Sequence, residues 1–406
     1  MLCGLDQLFN SQLSTLRRRL RNERVGVLTH AAAVDRRART ALTVLEELGV
    51  SPVTVFTPEH GLSGVAQAQE PVVGSPDEAR EVAAPLVSLY GATKASLAPT
   101  PEQLAAMDVL LIDLVDVGSR FYTFVWTALL AARAAQAAGV HTVILDRPNP
   151  ISGDPASAEG RPQREGYLSF VGLEPVPIRH ALTLGELVVR CFARDGLSLG
   201  PEGALSVVPV LGWERHRTAE AWGRPFVMPS PNMPTLETAL VYPGACLVEG
   251  TNLSEGRGTT VPFRVVGAPF LNGPQLATSM NEIGTPGALV RAVSFRPWFD
   301  KHQGQLCHGV MLHVTNVALF RPVATYLRLL TLARQQARDA FAFSATPYEF
   351  EAEIPAFDLL TGSAEVREAI TADATPEEVV ALGTPVPADW KDEVAEAEAR
   401  LEKARF

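Results

Sequence analysis

The chain has 406 residues, 47% of them hydrophobic and 20% charged, and a formal net charge of -10. It is too apolar for disorder and long enough for two domains. Its acidity argues against nucleic acid or anionic membrane as a partner and leaves room only for a local basic pocket that takes a small anion.

The four cysteines, Cys3, Cys191, Cys246 and Cys307, lie far apart without a CxxC pair, so neither a disulfide framework nor a structural zinc site is expected. Residues 1 to 24 do not read as a secretion signal, and no uninterrupted apolar run of about 18 residues follows, which suggests a cytoplasmic protein without membrane insertion. In chain order, the apolar runs Val25 to His30, Val53 to Thr57, Leu86 to Tyr90, Val109 to Leu114 and His141 to Asp146 read as strands. Helical patterns separate them at Asp35 to Leu48, Pro101 to Ala106 and Thr123 to Ala138, with a Gly- and Pro-rich loop from Pro58 to Pro76. Buried strands alternating with helices predict an α/β domain over residues 1–155, a Rossmann-like doubly wound parallel sheet. Residues 156–406 are richer in Pro and Gly and predict a mixed α+β domain. Its helices are Thr183 to Arg194, Arg321 to Arg338 and Asp389 to Lys403, and its strands Leu205 to Val210, Ala292 to Arg296 and Val310 to Val314. The last 50 residues are expected to form a helical arm that packs back across the first domain.

Ligands of an open α/β sheet bind beyond the carboxyl ends of its strands. His30, Glu59, His60, Asp113, Asp116, Arg120, Tyr122, Asp146, Arg147 and Asn149 all fall at such ends. The turn after the first strand, Thr29 to Ala33, lacks the glycines that admit a pyrophosphate, and no GxxxxGK[ST] or GxSxG motif occurs, so no nucleotide cofactor is expected. A metal site among His30, His60, Asp113 and Asp116, or among His302, His308 and His313, is weighed and set below structural histidines. Carboxylate chemistry remains. Glu59 stands where a strand gives way to a loop, and Glu186, Glu249 and Glu255 come from the second half. The segment Val248 to Thr259 is unusually rich in Gly, Thr, Asn and Ser, and it reads equally well as a long surface turn with Glu255 and Arg257 as a solvated pair.

Several stretches resemble the NamZ-type exo-β-N-acetylmuramidases, a bacterial family of glycoside hydrolases. They are Pro58 to Gly64, Asp113 to Phe124, Asp146 to Pro150, Pro177 to His180, Pro229 to Thr235, Tyr242 to Gly244, Glu249 to Thr259 and Phe357 to Gly362. Val115 stands where the family pattern has Gln, and Ala181 where it has Gly. The resemblance implies removal of β-1,4-linked N-acetylmuramic acid from the non-reducing end of peptidoglycan fragments, in a cleft between the two domains. Glu59 is the first choice for a catalytic carboxylate. Its partner is Glu255, Glu249 or Asp116, in that order, or the acetamido group of the sugar itself. Selecting muramic acid by its lactyl carboxylate calls for a guanidinium, with Arg120, Arg147, Arg179 and Arg257 as candidates. Tyr122, Asn149, Asn232 and Asn252 would meet hydroxyl or acetamido groups, and His60 and His180 would position a carboxylate. A non-catalytic sugar-binding protein and a metal-dependent hydrolase on the same sheet edge are the competing expectations.

Overall fold

The computed structural model describes residues 1–72 and 82–406. The end of the expected loop, residues 73–76, lies outside them. Five strands, β1 (Val25–Thr29), β2 (Thr54–Thr57), β3 (Leu86–Ser88), β4 (Val109–Asp113) and β5 (His141–Leu145), fall where the apolar runs place them. A sixth, β6 (Leu205–Val208), completes a parallel sheet of order β3-β2-β1-β4-β5-β6. This is a doubly wound order, reversing between β1 and β4. Strands β1, β4 and β5 are buried at every position, which is why they read as continuous apolar runs rather than alternating ones.

The strand expected at Leu205 to Val210 therefore pairs with β5 in the parallel sheet and not within the second domain. The helix Leu184–Arg194 makes the crossover that carries it there, a relation that local pattern does not encode. The helix expected from Asp35 starts later, at Ala41. Asp35 instead accepts from the backbone N–H groups of Arg37 and Arg39 and pairs with the Arg39 side chain, so it holds a turn.

The second half builds a three-stranded antiparallel sheet of order β7-β9-β8, from β7 (Val265–Ala268), β8 (Ala288–Phe295) and β9 (Cys307–Val314). Helix Gly273–Ile283 packs on β8 and β9, and helix Pro322–Gln336 packs on that helix in turn. One apolar cluster runs from Ile112 and Trp126 under the parallel sheet to Val310, Tyr326 and Phe357 in the second half; a smaller one fills the other face of the sheet. The helix Trp390–Ala404 lies against Leu184–Arg194, and Phe406 N–H donates to the Val207 carbonyl on the sheet edge. No described helix is long and apolar enough to cross a membrane.

At the point where the strand order reverses, the chain fills its own crevice. Gly4 N–H donates to the Asp146 carbonyl at the end of β5, so close that a Cβ on Gly4 would fall 2.6 Å from the Leu145 Cα. Cys3, Asp116 and Arg147 line the small space that is left. The usual ligand position of such sheets is thus occupied by protein, and the open cleft lies on the β2 side.

Candidate active site

Strand β2 ends at Thr57, and after Pro58 the backbone turns sharply, with His60 at φ 72° and Gly61 at φ 80°. This turn places Glu59 at the sheet edge with only 5% of its surface exposed. Its Oε2 accepts from the Thr123 hydroxyl at 2.7 Å and its Oε1 from Gln69 N–H at 3.1 Å. Thr123 stands at the N-cap of the helix Phe124–Ala137 but makes no capping bond, because its hydroxyl is turned to Glu59. A residue type that normally satisfies the helix end serves the carboxylate instead, and the positive end of the helix dipole adds to the same effect. His60 Nδ1 donates to the Ala66 carbonyl at 2.7 Å, which fixes the ring over the turn.

The opposite wall comes from the segment that also reads as a surface turn. That reading is overturned: Glu255 is 1% exposed. Arg257 donates to Glu249 at 2.7 Å and to Glu255 at 3.1 Å, and its guanidinium lies over the Phe263 ring. Lys301 approaches the other Glu255 oxygen at 2.8 Å. Burial opposes the Glu255 charge, but Lys301 and Arg257 outweigh it and hold the carboxyl below the usual carboxylate range. Glu255 is thus flanked by two cations on the cleft wall. Glu249 accepts a second bond from the Tyr348 hydroxyl at 2.7 Å.

Between these walls runs a cleft. Its narrow inner end is lined by Glu59, His60, Tyr122, Thr123, Asn232, Glu249, Arg257 and Glu349, and closed by the buried rings of Phe121, Tyr242 and Phe263. It opens past Ala68 and Tyr348 into a basin of about 630 Å³ bounded by Gln67, Thr251, Asn252, Asp300 and Lys301. Asn232 donates to Gln67 at 2.8 Å across the cleft. Asn252 sits at the basin edge, where its amide ties down Ala340 and Ala342.

Other expected site residues are elsewhere. The Arg120 guanidinium is wholly buried and donates to the carbonyls of Arg161, Val176 and Leu360. Arg147 makes a two-pronged pair with Asp113 at 2.5 and 2.8 Å. Arg179 donates to the Ile151 carbonyl, and Asn149 to that of Leu182. These four hold segments together and do not line the cleft. Asp116 and His180 form a buried couple, 3.6 Å apart, outside it. Burial pushes Asp116 up to about 7, and burial with the Arg120 charge pushes His180 down to about 3. Ala181, standing where the family pattern has Gly, takes φ 59°. Among the described residues, no group of three or more His, Cys, Asp or Glu is arranged to hold a metal.

Sequence reasoning missed Thr123, Gln69, Lys301, Tyr348, Glu349 and Tyr90, whose hydroxyl donates to Glu349 at 2.9 Å. The 344–353 stretch carries no periodic pattern, and nothing local marks its two adjacent polar side chains as cleft residues.

Family models described as the N-terminal and C-terminal parts of the exo-beta-N-acetylmuramidase NamZ match residues 25–237 and 240–398. The chain is 39% identical over 378 residues to the peptidoglycan beta-N-acetylmuramidase NamZ of Bacillus subtilis (strain 168), covering 93% of this chain and 86% of that one. Two crystal structures of DUF1343 family proteins from Bacteroides fragilis NCTC 9343 superpose with TM-scores of 0.80 and 0.68, at 26% and 24% identity. Each comparison covers 100% of this chain and 98% of the other.

Proposed function

The chain belongs to the NamZ family of exo-β-N-acetylmuramidases, which are glycosidases, and we propose that it releases N-acetylmuramic acid from the non-reducing end of β-1,4-linked peptidoglycan fragments. The observation that carries this reading is a buried carboxylate, Glu59, at the closed end of a cleft that widens into a polar basin. The inner end holds only about 40 Å³, so the basin takes the glycan and presents its terminal sugar to Glu59 at the inner rim. Glycoside hydrolysis needs one carboxylate facing the positive charge that grows at the anomeric carbon and one proton for the leaving oxygen. Glu59, held by Thr123 and Gln69 N–H, supplies the first.

Of the four arginines, Arg257 alone reaches the cleft, and Lys301 joins it in the basin. We assign the lactyl carboxylate to this pair, with Glu249 and Glu255 holding both cations in place. Tyr122, Asn232 and His60 face the sugar from the inner end. Glu59→Gln should fold with an unchanged melting temperature yet lower the release of N-acetylmuramic acid from a muramyl-glucosaminyl disaccharide by about 10²–10⁴-fold. Turnover near the wild-type rate would sink the assignment.

A further inference from the structure

A turn that local preference does not explain delivers a second carboxyl group to the inner end of the cleft. Tyr348 N–H donates to the Glu351 carbonyl at 2.8 Å and Glu351 N–H to the Tyr348 carbonyl at 2.9 Å, with Glu349 at φ 47° and Phe350 at φ 65° between them. Two left-handed corner residues make a turn of the kind that ordinarily carries Asn-Gly. Each non-glycine there is strained, because its Cβ crowds the following carbonyl oxygen. Such strain persists only where the surroundings over-determine it, and it gathers at functional sites. Here Phe350 is held edge-on to Tyr90 at 5.4 Å and to Phe170 at 6.1 Å, and the anchored ring fixes Glu349, 7% exposed, in the cleft lining.

The groups facing Glu349 come from three other parts of the chain: Tyr90 after β3, Glu59 after β2, and Glu249 with Arg257 on the opposite wall. Tyr348 adjoins it on its own turn. Arg257 is turned to Glu249 and Glu255, so the hydrogen-bond partner of Glu349 is the neutral Tyr90 hydroxyl. Glu59 and Glu349 line the same closed end of the cleft. Two buried carboxyl groups at one closed end do not both ionise cheaply. Among the described residues Glu349 has only the neutral Tyr90 hydroxyl beside it, so it holds a proton. Burial first, then the Glu59 charge, pushes Glu349 well above the usual carboxylate range.

We propose that Glu349 is the proton donor of the reaction, opposite the Glu59 carboxylate. The proposal rests on the glycosidase reading above. The bond from the anomeric carbon to the glycosidic oxygen breaks, its electron pair leaves with that oxygen, and the oxygen takes the proton of Glu349. The Glu59 carboxylate faces the positive charge left on the sugar. Water then adds its oxygen to the anomeric carbon and gives a proton to Glu349, which restores both groups.

The test compares two leaving groups in wild type and Glu349→Gln. Release from the muramyl-glucosaminyl disaccharide, whose leaving oxygen needs a proton, should fall by about 10²–10⁴-fold, and release from a dinitrophenyl muramide, which needs none, by less than about tenfold. The alkaline fall in the wild-type kcat/KM profile, where Glu349 loses its proton, should disappear in the variant. Equal losses on both substrates, or disaccharide turnover with the alkaline fall intact, would overturn the role of Glu349. Tyr90→Phe keeps the ring packing and removes a hydrogen bond to Glu349, so it should move the alkaline fall to higher pH. An unmoved profile counts against the proposal even if Glu349→Gln does not fold. A wild-type chain that releases no muramic acid from either substrate would instead remove the glycosidase reading itself.

Discussion

Arg257 serves two carboxylates at once, Glu249 at 2.7 Å and Glu255 at 3.1 Å, with the ring of Phe263 beneath it. A flat, forked cation held this way presents fixed donors to an incoming carboxylate, which a lysine on a flexible stem does not. Arg257→Lys should therefore narrow the kcat/KM preference for muramic over glucosamine substrates by about 10–100-fold, the worth of one charge-assisted hydrogen bond. Arg147→Met should leave that ratio alone and lower stability by about 3–5 kcal/mol in denaturant unfolding, because Asp113 would stay buried without its partner. Nothing in the sequence separates these two arginines: both stand in Gly- or Pro-flanked motifs of the same family pattern. Only the burial of Asp113 beneath Arg147, and the side of the sheet on which each motif lands, assigns one to structure and the other to the cleft.

Asp116 illustrates the same limit. Its place after β4 suggested catalysis, yet the structure closes it in with His180, away from the cleft. Burial raises its carboxyl to about 7, against about 3.9 in the unfolded chain. The folded chain thus holds this proton to higher pH, and the stability the group contributes is complete below about pH 4 and lost as the pH rises to about 7. Asp146, also raised to about 7 by burial, titrates in the same window. Asp116→Asn should remove part of that decline and melt on the order of 2 °C above wild type at pH 8, little different from it at pH 4.

At the level of elements, the strands of the parallel sheet were legible because burial on both faces leaves near-continuous apolar runs, and the two strand-end loops that line the cleft, after β2 and β4, followed from them. The sixth strand was misplaced because pairing is set by the crossover helix Leu184–Arg194, not by residues 205–208 themselves. The turn at Tyr348–Glu351 was illegible for a sharper reason: its corner residues contradict turn preference, so propensity points away from the structure it adopts. Replacing Glu349 by Asn, which tolerates the left-handed region, should relieve strain and raise the melting temperature by about 1–3 °C while activity on the disaccharide collapses. A stabilised variant that keeps its activity would mean the turn is held for packing alone.

Across the whole molecule, the parallel sheet and the second half share one continuous apolar cluster, so the two walls of the cleft are fixed against each other by core packing. The net charge of -10 makes the surroundings repulsive to an anionic glycan, and Arg257 and Lys301 supply the local exception. The family resemblance was readable from motifs spread over most of the chain. That a cleft lies between the two halves was readable as well, but its place on the β2 side was not, because the chain fills the strand-order reversal with Gly4, Arg147 and Asp113. The most direct measurement follows the products from a short glycan of alternating sugars with N-acetylmuramic acid at its non-reducing end. With the wild-type chain, free N-acetylmuramic acid should be the first product, in step with a glycan one residue shorter, and Glu59→Gln should give neither. A glycan that binds and stays whole, or internal disaccharides appearing first, would contradict an exo-acting glycosidase.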